Sequence, residues 1–411
     1  MSIIYLDHAA TTPVLPEVAE AMLPYYKERY ANPSGIYEFA RHRKKEIENV
    51  REIIAGSLGA KPDEIYFTSG GSESDNWALK ATAAIRKQKR CHIITTKIEH
   101  HAILHSCSAL EKQGIKITWL NVDERGRISL EELEKSIGPD TALISVMFAN
   151  NEVGTIQPIK KIGYLAKKHN VLFHTDAVQA YAHLPIHVKE MGIDMLSASA
   201  HKFNGPKGVG FLYVREGILL PSYIHGGGQE AGRRAGTENV AGIIGMGKAV
   251  ELSLKNQKEQ EKKIRQMRDH MIERLLKEVP YSRLNGDRTN RLSGNCNISF
   301  QFIEGSSLLI LLDTQGICAS AGSACSTGSS SPSHVLKAMG IPDAIAHGTV
   351  RFTLGPQNTM EEIDHAVDCV KAGIKKLRET SAEYEDLLAY SRKKEIHKKY
   401  GSDNLKKSIK K

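Results

Sequence analysis

Ser197-Ala-Ser-Ala-His-Lys-Phe-Asn-Gly-Pro-Lys-Gly-Val-Gly210 follows directly on the apolar residues Met195 and Leu196. This order predicts a buried strand that delivers Lys202 into a glycine-rich turn. A desolvated ammonium is costly, so a lysine at the end of a buried strand needs a chemical reason. One such reason is that an uncharged lysine amine forms a Schiff base with an aldehyde cofactor. The alternative is a strand end and a surface turn, with the lysine pointing to water.

Short β-rich runs alternate with helical patterns on both sides of this stretch. The predicted strands are 65–68, 92–96, 116–122, 142–149, 171–176, 194–199 and 210–214. The predicted helices between them are 76–87, 103–113, 130–136 and 159–169. This alternation predicts an α/β fold with a mostly parallel sheet covered on both faces. Ligands of such sheets bind at the carboxyl ends of the strands, where we expect the functional residues.

The second half of the sequence indicates further domain structure. A polar loop at 226–237 precedes a long helical pattern at 240–278, and further strands are predicted at 297–301, 317–320 and 349–354. We expect three parts: a large domain at 14–258, a smaller α+β domain built from 1–13 and 259–385, and a basic, disordered tail at 386–411. The smaller domain would carry a cysteine loop at 321–332.

Composition is that of an ordinary globular protein, with 41% hydrophobic and 25% charged residues among 411. The longest apolar run is far shorter than the roughly 20 residues of a membrane helix. The N-terminus lacks the pattern of a secretory signal, so we expect a cytoplasmic protein. Six scattered cysteines show no spacing typical of zinc, which predicts reduced thiols and no metal site.

The net charge of +9 comes mostly from the end of the chain. Residues 391–411 contain nine Lys or Arg residues and two acidic residues. Such a tail can touch RNA or an acidic partner, but a solvated, disordered end is the more frequent case. We therefore expect no direct nucleic-acid partner.

Glycines and hydroxyls between the first predicted strand and the next helix favour an anion site. The segment reads Thr68-Ser-Gly-Gly-Ser-Glu-Ser-Asp-Asn76, and its small residues leave backbone N–H groups exposed at a helix N-terminus. Ser72 adds a hydroxyl. The alternative is a plain N-cap loop, since Ser and Asp cap helices well.

Three polar residues follow other predicted strands. His100 can stack on a flat aromatic ligand or shuttle protons. Of two adjacent histidines such as His100 and His101, however, usually only one side chain lies in the site. Asn151 can bind a ring substituent or belong to an ordinary loop. Asp176 ends an apolar run, where an unpaired carboxylate is expensive, and a protonated pyridine nitrogen would remove that cost. With Lys202 and a phosphate loop, Asp176 completes the constellation of pyridoxal phosphate (PLP).

Two residues of the smaller predicted domain also point to chemistry. Cys325 stands among small, polar residues, unlike a structural cysteine, and is suited to act as a thiol nucleophile or carrier. A linker that happens to contain a thiol is the alternative. Arg351 lies on an apolar strand, where it can clamp a carboxylate bidentately or form a salt bridge with a local acid.

Taken together, these motifs resemble cysteine desulfurases of the NifS/IscS type, within the class V aminotransferase-like, fold-type I PLP enzymes. The resemblance extends from Tyr5 to about Lys376. It rests on the motifs at 6–12 (Leu-Asp-His-Ala-Ala-Thr-Thr), 32–34, 69–76, 197–202, 234–237 and 322–325. It implies a large domain with a seven-stranded, mostly parallel sheet and a smaller α+β domain.

The resemblance also implies roles for individual residues. Lys202 would form the Schiff base with PLP, Asp176 would pair with the pyridinium nitrogen, and His100 would stack on the ring and serve as a catalytic base. Gln179 would bind the ring hydroxyl, and Cys325 would take the sulfur. The residues implied for the phosphate are Gly71, Ser72, Ser199, His201 and, from the other subunit of a homodimer, Thr237. Those implied for the substrate are Asn32, Asn151 and Arg351.

The implied reaction converts L-cysteine to L-alanine, with the sulfur passed to a Cys325 persulfide and on to an acceptor protein. The acceptor would be an iron–sulfur scaffold or a tRNA-thiolating enzyme. The sequence departs from the family pattern at Gly35 and Tyr37, in its serine-rich 327–331 segment and in its basic tail, which leaves the acceptor open. A selenocysteine lyase or another class V PLP enzyme is the alternative, and a PLP-binding scaffold protein is a third.

Overall fold

Strands and helices alternate along most of the chain. The structure is a computed structural model and describes residues 3–86, 91–321, 332–391 and 394. The strands are β1 Ile4–Tyr5, β2 Ile65–Thr68, β3 His92–Thr96, β4 Lys116–Leu120, β5 Thr141–Ser145, β6 Leu172–Asp176, β7 Met195–Ser199, β8 Gly210–Val214, β9 Ser282–Leu284, β10 Asn295–Phe300, β11 Ile317–Cys318 and β12 Thr349–Thr353. The helices are α1 Pro16–Met22, α2 Pro24–Lys27, α3 Glu38–Leu58, α4 Gly71–Arg86, α5 His101–Glu111, α6 Leu130–Ser136, α7 Ile159–Lys168, α8 Val188–Met191, α9 Val240–Glu278, α10 Gly305–Asp313, α11 His334–Ala338, α12 Asp343–Ala346 and α13 Met360–Arg378.

Within the described residues, seven strands form one sheet in the order β2-β8-β7-β6-β5-β3-β4. The five strands from β7 to β4 pair in parallel. Strand β8 runs antiparallel to both of its neighbours, β2 and β7. The predicted α/β fold with a mostly parallel sheet is therefore confirmed.

Helices cover both faces of this sheet, because successive side chains of a strand point to opposite sides. Ile65 and Phe67 of β2 pack into one apolar cluster together with α3 and the first part of α9. Tyr66, between them, packs into a second cluster with Trp77 and Leu79 of α4. Both faces are thus buried, which explains why the strands read as continuous apolar runs.

A smaller three-stranded antiparallel sheet, β12-β10-β9, forms a second centre of packing. Its apolar cluster includes Ile4 and Leu6 from the N-terminus, the later part of α9, and α10 and α13. The N-terminal strand β1 joins this part of the molecule by pairing with β11. The predicted domain limits, 14–258 against 1–13 and 259–385, stay a prediction, and their junction lies inside α9.

No helix in the described parts of the chain is long and apolar enough to cross a membrane. The longest helix, α9, alternates apolar positions with Lys, Glu and Gln residues. Most of the predicted tail lies outside the described residues.

Candidate active site

A cavity of about 560 Å³ lies where the parallel strands of the main sheet end. Asp176 is the last residue of β6 and Ser199 is the last residue of β7. The predicted site residues that line the cavity are Gly71, Ser72, His100, Asn151, Asp176, Gln179, Ser199, His201, Lys202 and Arg351. The fold therefore brings together residues that are up to 280 positions apart in sequence.

The glycine-serine segment forms the N-terminal end of α4, a helix of 16 residues. A Cβ atom at Gly71 would lie only 2.5 Å from Cγ2 of Val178, so a glycine is required there. Glu73 in the first turn accepts a hydrogen bond from the backbone N–H of Ser69 at 2.8 Å. Its other carboxylate oxygen forms an ion pair with Nε of Arg234 at 2.8 Å. These contacts hold the segment in place, and the N-terminus of α4 favours an anion in the cavity.

Lys202 lines the cavity from the turn that follows β7. Its Nζ donates hydrogen bonds to the backbone carbonyls of Ala9 at 2.6 Å and Ala10 at 2.8 Å. The Gln179 side chain donates to the Ala9 carbonyl at 2.9 Å. The side chain of Lys202 is thus directed to the site and held by the N-terminal segment.

Asp176 and His100 lie in the buried part of the cavity. Oδ1 of Asp176 accepts a hydrogen bond from the backbone N–H of Val178 at 2.9 Å. Burial raises the pKa of this carboxyl group, and the neighbouring His100 and Lys202 act against the increase. A cation at its free edge would stabilise the ionised form.

His100 is the N-cap residue of α5. Its Nδ1 accepts a hydrogen bond from the backbone N–H of Ala102 at 3.2 Å. Burial lowers the pKa of His100, which favours the neutral ring. Since Nδ1 is the acceptor, the neutral ring carries its proton on Nε2 and is a donor at that atom.

Arg351, on β12, brings a buried cation to the cavity with only 1% of the residue exposed. Its guanidinium donates to Oδ1 of Asp7 at 2.8 Å and to the backbone carbonyl of Asn151 at 3.1 Å. The salt bridge to a local acid that the sequence left open is therefore present. It fixes a guanidinium at the cavity wall.

Three predicted site residues are not placed in this cavity. Thr237 lines a neighbouring cavity of about 160 Å³, which shares Ser69 and Gly208 with the main one. Asn32 is exposed, and its side-chain oxygen accepts a hydrogen bond from the backbone N–H of Ser34 at 2.9 Å. Cys325 lies outside the described residues, and so does most of its predicted loop.

The structure adds residues that sequence reasoning assigned no role. Besides Ala9 and Ala10, the N-terminal motif supplies Thr11, whose hydroxyl lies 3.1 Å from Nδ1 of His201. Asp7 of the same motif pairs with Arg351. The motif at 6–12 was itself the available signal, but the sequence alone does not show that this segment folds back onto β7 and β12.

The sequence of this chain is similar to those of known proteins over most of its length. A family model described as aminotransferase class-V matches residues 4–366. The cysteine desulfurase IscS of Methanosarcina thermophila is 53% identical over 378 residues, covering 92% of this chain and 93% of that protein. This chain belongs to the cysteine desulfurase family. A second relative in the family, the IscS of Clostridium botulinum, is 51% identical over 387 residues, covering 94% of this chain and 98% of its own.

Solved structures related to the desulfurase family show the same fold. A NifS-like protein matches with a TM-score of 0.85 at 39% identity, covering 90% of this chain and 99% of that one. A structure described as SspA in complex with cysteine matches with a TM-score of 0.78 at 41% identity, covering 87% of this chain and all of that one. The family and fold inferred from the sequence are therefore confirmed.

Proposed function

We propose that this chain is a PLP-dependent desulfurase that converts L-cysteine to L-alanine and passes the sulfur to Cys325. The observation that supports it best is the meeting of Lys202, Asp176 and Arg351 around one cavity with the N-terminus of α4. A Schiff-base amine, a pyridinium partner, a carboxylate clamp and a phosphate cradle are what a PLP enzyme with an amino-acid substrate needs.

The residues of the cavity fit PLP. The Gly71 position tolerates no side chain, and the adjacent Ser72 lines the same wall, as a phosphate cradle requires. Asp176 is buried and ends its strand at the cavity, where a pyridinium nitrogen would supply the missing cation. Lys202 lies on the same wall with its amine held by two carbonyls. When bound there, PLP supplies an electron sink for the charge that develops at the substrate Cα.

The chain's own residues would then bind the substrate and move its protons. Arg351 and Asn151 orient the carboxylate of L-cysteine. The Lys202 amine would accept the Cα proton at Nζ. Neutral His100 carries its proton at Nε2 and donates a hydrogen bond from that atom, and it would serve as a base at Nε2 only in the tautomer that is protonated at Nδ1.

Cys325 completes the proposed reaction as the sulfur acceptor. Its thiolate attacks the substrate sulfur, the carbon–sulfur bond breaks, and its electron pair stays with the carbon that becomes the methyl group of alanine. The new sulfur–sulfur bond leaves a persulfide on Cys325. The transfer needs no outside oxidant, because the carbon is reduced as the sulfur is oxidised.

We also propose a homodimer in which Thr237 completes the phosphate site of the other subunit. Thr237 does not line the main cavity of its own chain, which leaves it available to the site of a partner subunit. Several large apolar side chains are exposed near α1 to α3, and an interface would cover them. They are Leu23, Tyr26, Tyr30, Ile36 and Tyr37.

A cytoplasmic location and a sulfur-acceptor protein belong to the same proposal. A persulfide carrier requires reduced thiols, which a reducing compartment maintains. The acceptor would be an iron–sulfur scaffold or a tRNA-thiolating enzyme, both of which take sulfur from such a persulfide.

The decisive experiment measures alanine and sulfide released from L-cysteine in the presence of a reductant. We expect equal amounts from the wild type, loss of both products in Cys325→Ala, and unchanged PLP absorbance. Cys369→Ala is the matched control, because this cysteine lies on the remote helix α13. Undiminished products from Cys325→Ala would contradict the role of this residue, and no products from any variant would point to another substrate, selenocysteine first.

A further inference from the structure

A second carboxyl group, that of Asp75, is buried next to Asp176. Asp75 lies in the second turn of α4 and also lines the cavity, with only 1% of the residue exposed. One oxygen of Asp75, one of Asp176 and one ring nitrogen of His100 all lie within 4.8 Å of one another. Two negative charges so close together in a buried site repel strongly.

The surroundings do not fully compensate for a charge on Asp75, because the hydrogen bond from the Ser197 hydroxyl lowers its pKa by less than burial and the charge of Asp176 raise it. Among the described residues its Oδ1 has no hydrogen-bond partner. The nearest potential cation is His174, whose Nε2 lies 3.7 Å from that oxygen. His174 already contacts the hydroxyls of Ser145 and Ser197, both at 2.9 Å, and burial lowers its pKa to about 3. His174 is therefore neutral at pH 7, and within the described parts of the chain no charged partner pairs with an Asp75 carboxylate.

We infer that Asp75 is a protonated, positioning residue that shares a single negative charge with Asp176. A neutral Asp75 carboxyl places no second negative charge beside the Asp176 carboxylate, although an oxygen of each lies within 4.8 Å of the other. The pair then presents one charge to a cation in the cavity, in the manner of two carboxyl groups that cannot both ionise. Its use in holding a pyridinium nitrogen rests on the proposed function, whereas the shared charge is a property of the chain itself.

The titration of Asp75 depends on every group that faces it. These groups are Asp176 and His174 on β6, Ser197 on β7, and Glu99 and His100 at the start of α5. Burial and then the charge of Asp176 raise the Asp75 pKa well above its ordinary value. Burial likewise raises the pKa of Glu99, to about 8, so this neighbour is also largely neutral at pH 7.

Infrared difference spectroscopy tests the inference directly. The spectrum of the wild type minus that of Asp75→Asn at pH 7 is expected to contain the C=O stretching band of a protonated carboxyl group. Asp63→Asn, at an exposed position, is the matched control and should lose carboxylate bands and gain the same amide bands, but no band of a protonated carboxyl group should appear. In cofactor-free protein, Asp176→Asn should move the midpoint of the Asp75 band to lower pH, because the repelling charge is gone.

A stability measurement gives an independent check. A pKa raised by folding means that the stability contributed by Asp75 is full below its unfolded pKa of about 3.9 and is lost as the pH rises toward the folded pKa. Relative to Asp75→Asn, the unfolding equilibrium constant of the wild type should increase up to about tenfold per pH unit across that window. If Asp75→Asn does not fold, the band is followed in wild-type and Asp176→Asn proteins carrying ¹³C-labelled aspartate carboxyls.

Two results would overturn the inference: no protonated band assignable to Asp75 at pH 7, or a band whose midpoint is the same with and without Asp176. Failure of PLP binding would contradict the proposed function but leave the band in place. A missing band in a protein that binds PLP would reject the shared charge alone.

Discussion

At Gly71 the lack of a side chain is a steric requirement of the proposed phosphate cradle. Its Cβ position would lie 2.5 Å from Cγ2 of Val178, a side chain that also lines the cavity. At Gly56 in α3, by contrast, a Cβ atom would meet nothing within 4 Å. Packing therefore requires a glycine at position 71, whereas a side chain at position 56 would change only the helix propensity of α3.

We predict that Gly71→Ala weakens PLP binding by about 1–3 kcal/mol, because overpacking forces Val178 and the start of α4 apart. The dissociation constant is measured by absorbance titration of cofactor-free protein. Adding Val178→Ala should restore much of the loss. Gly56→Ala should bind PLP as the wild type does and should stabilise its helix by up to about 1 kcal/mol. Unchanged affinity in Gly71→Ala would contradict the steric argument.

Residue types in strand-end positions made much of the site predictable. Lys202 and Asp176 stand out because charged groups are costly at the end of a buried strand. Thr237 and Asn32 lie outside the cavity, and their roles came only from the family resemblance. The sequence analysis placed Asp75 in the segment before the predicted helix 76–87, where an aspartate is an ordinary helix cap, and its burial against Asp176 depends on how α4 packs on the sheet.

The sequence analysis did not predict α3, a helix of 21 residues. Its apolar positions Ile47, Val50 and Ile54 follow a helical period, but Arg43 and Arg51 also face inward and interrupt it. Strands without inward-facing charges were predicted with accurate bounds. The predicted strands 65–68, 92–96 and 210–214 have the same bounds as β2, β3 and β8. The predicted strand 142–149 is longer than β5, since the apolar residues that follow β5 form a buried loop.

Arg51 explains how α3 tolerates an inward-facing charge. Its guanidinium donates to both carboxylate oxygens of Glu230 at 2.9 Å, and the Glu230 side chain is only 4% exposed. The same group reaches the backbone carbonyl of Ile65 at the start of β2. One arginine thus joins α3, the main sheet and the loop that leads to Thr237.

We predict that Arg51→Met destabilises the protein by about 3–5 kcal/mol, because it leaves the Glu230 carboxylate buried and uncompensated. Denaturant unfolding at fixed protein concentration measures the change. The double variant Arg51→Met/Glu230→Gln should recover part of the loss, since the buried charge is removed. For comparison, Arg29→Met breaks an exposed pair with Glu46 and should cost about 1 kcal/mol or less. Equal effects of Arg51→Met and Arg29→Met would contradict the argument.

At the scale of the whole molecule, the proposed dimer divides each active site between two chains. Lys202 and Thr237 of one chain line different cavities, which the proposal assigns to different sites of the dimer. A mixed dimer of two defective chains would then contain one site with both defects and one site with none.

We predict that Lys202→Ala and Thr237→Val chains, each impaired alone at limiting PLP, regain activity when they are unfolded together and reassembled. Random pairing places an intact site in about half of the dimers, so desulfurase activity should rise well above the sum of the two separate preparations. Sedimentation confirms the dimer in each preparation. No recovery in verified mixed dimers would show that Thr237 does not act across the interface.

The helix α9 contributes to the apolar cluster on the α3 side of the main sheet and to the cluster of the smaller sheet. Its first part packs Ile243, Met246, Ala249 and Val250 against the main sheet. Its later part packs Ile264, Met267, Met271, Ile272 and Leu275 against the smaller sheet. Because α9 is one continuous helix that packs on the main sheet at its start and on the smaller sheet at its end, the two sheets cannot move apart as rigid bodies unless α9 bends. Access to the cavity is then left to small local rearrangements, and heat should melt the two halves in a single concerted event.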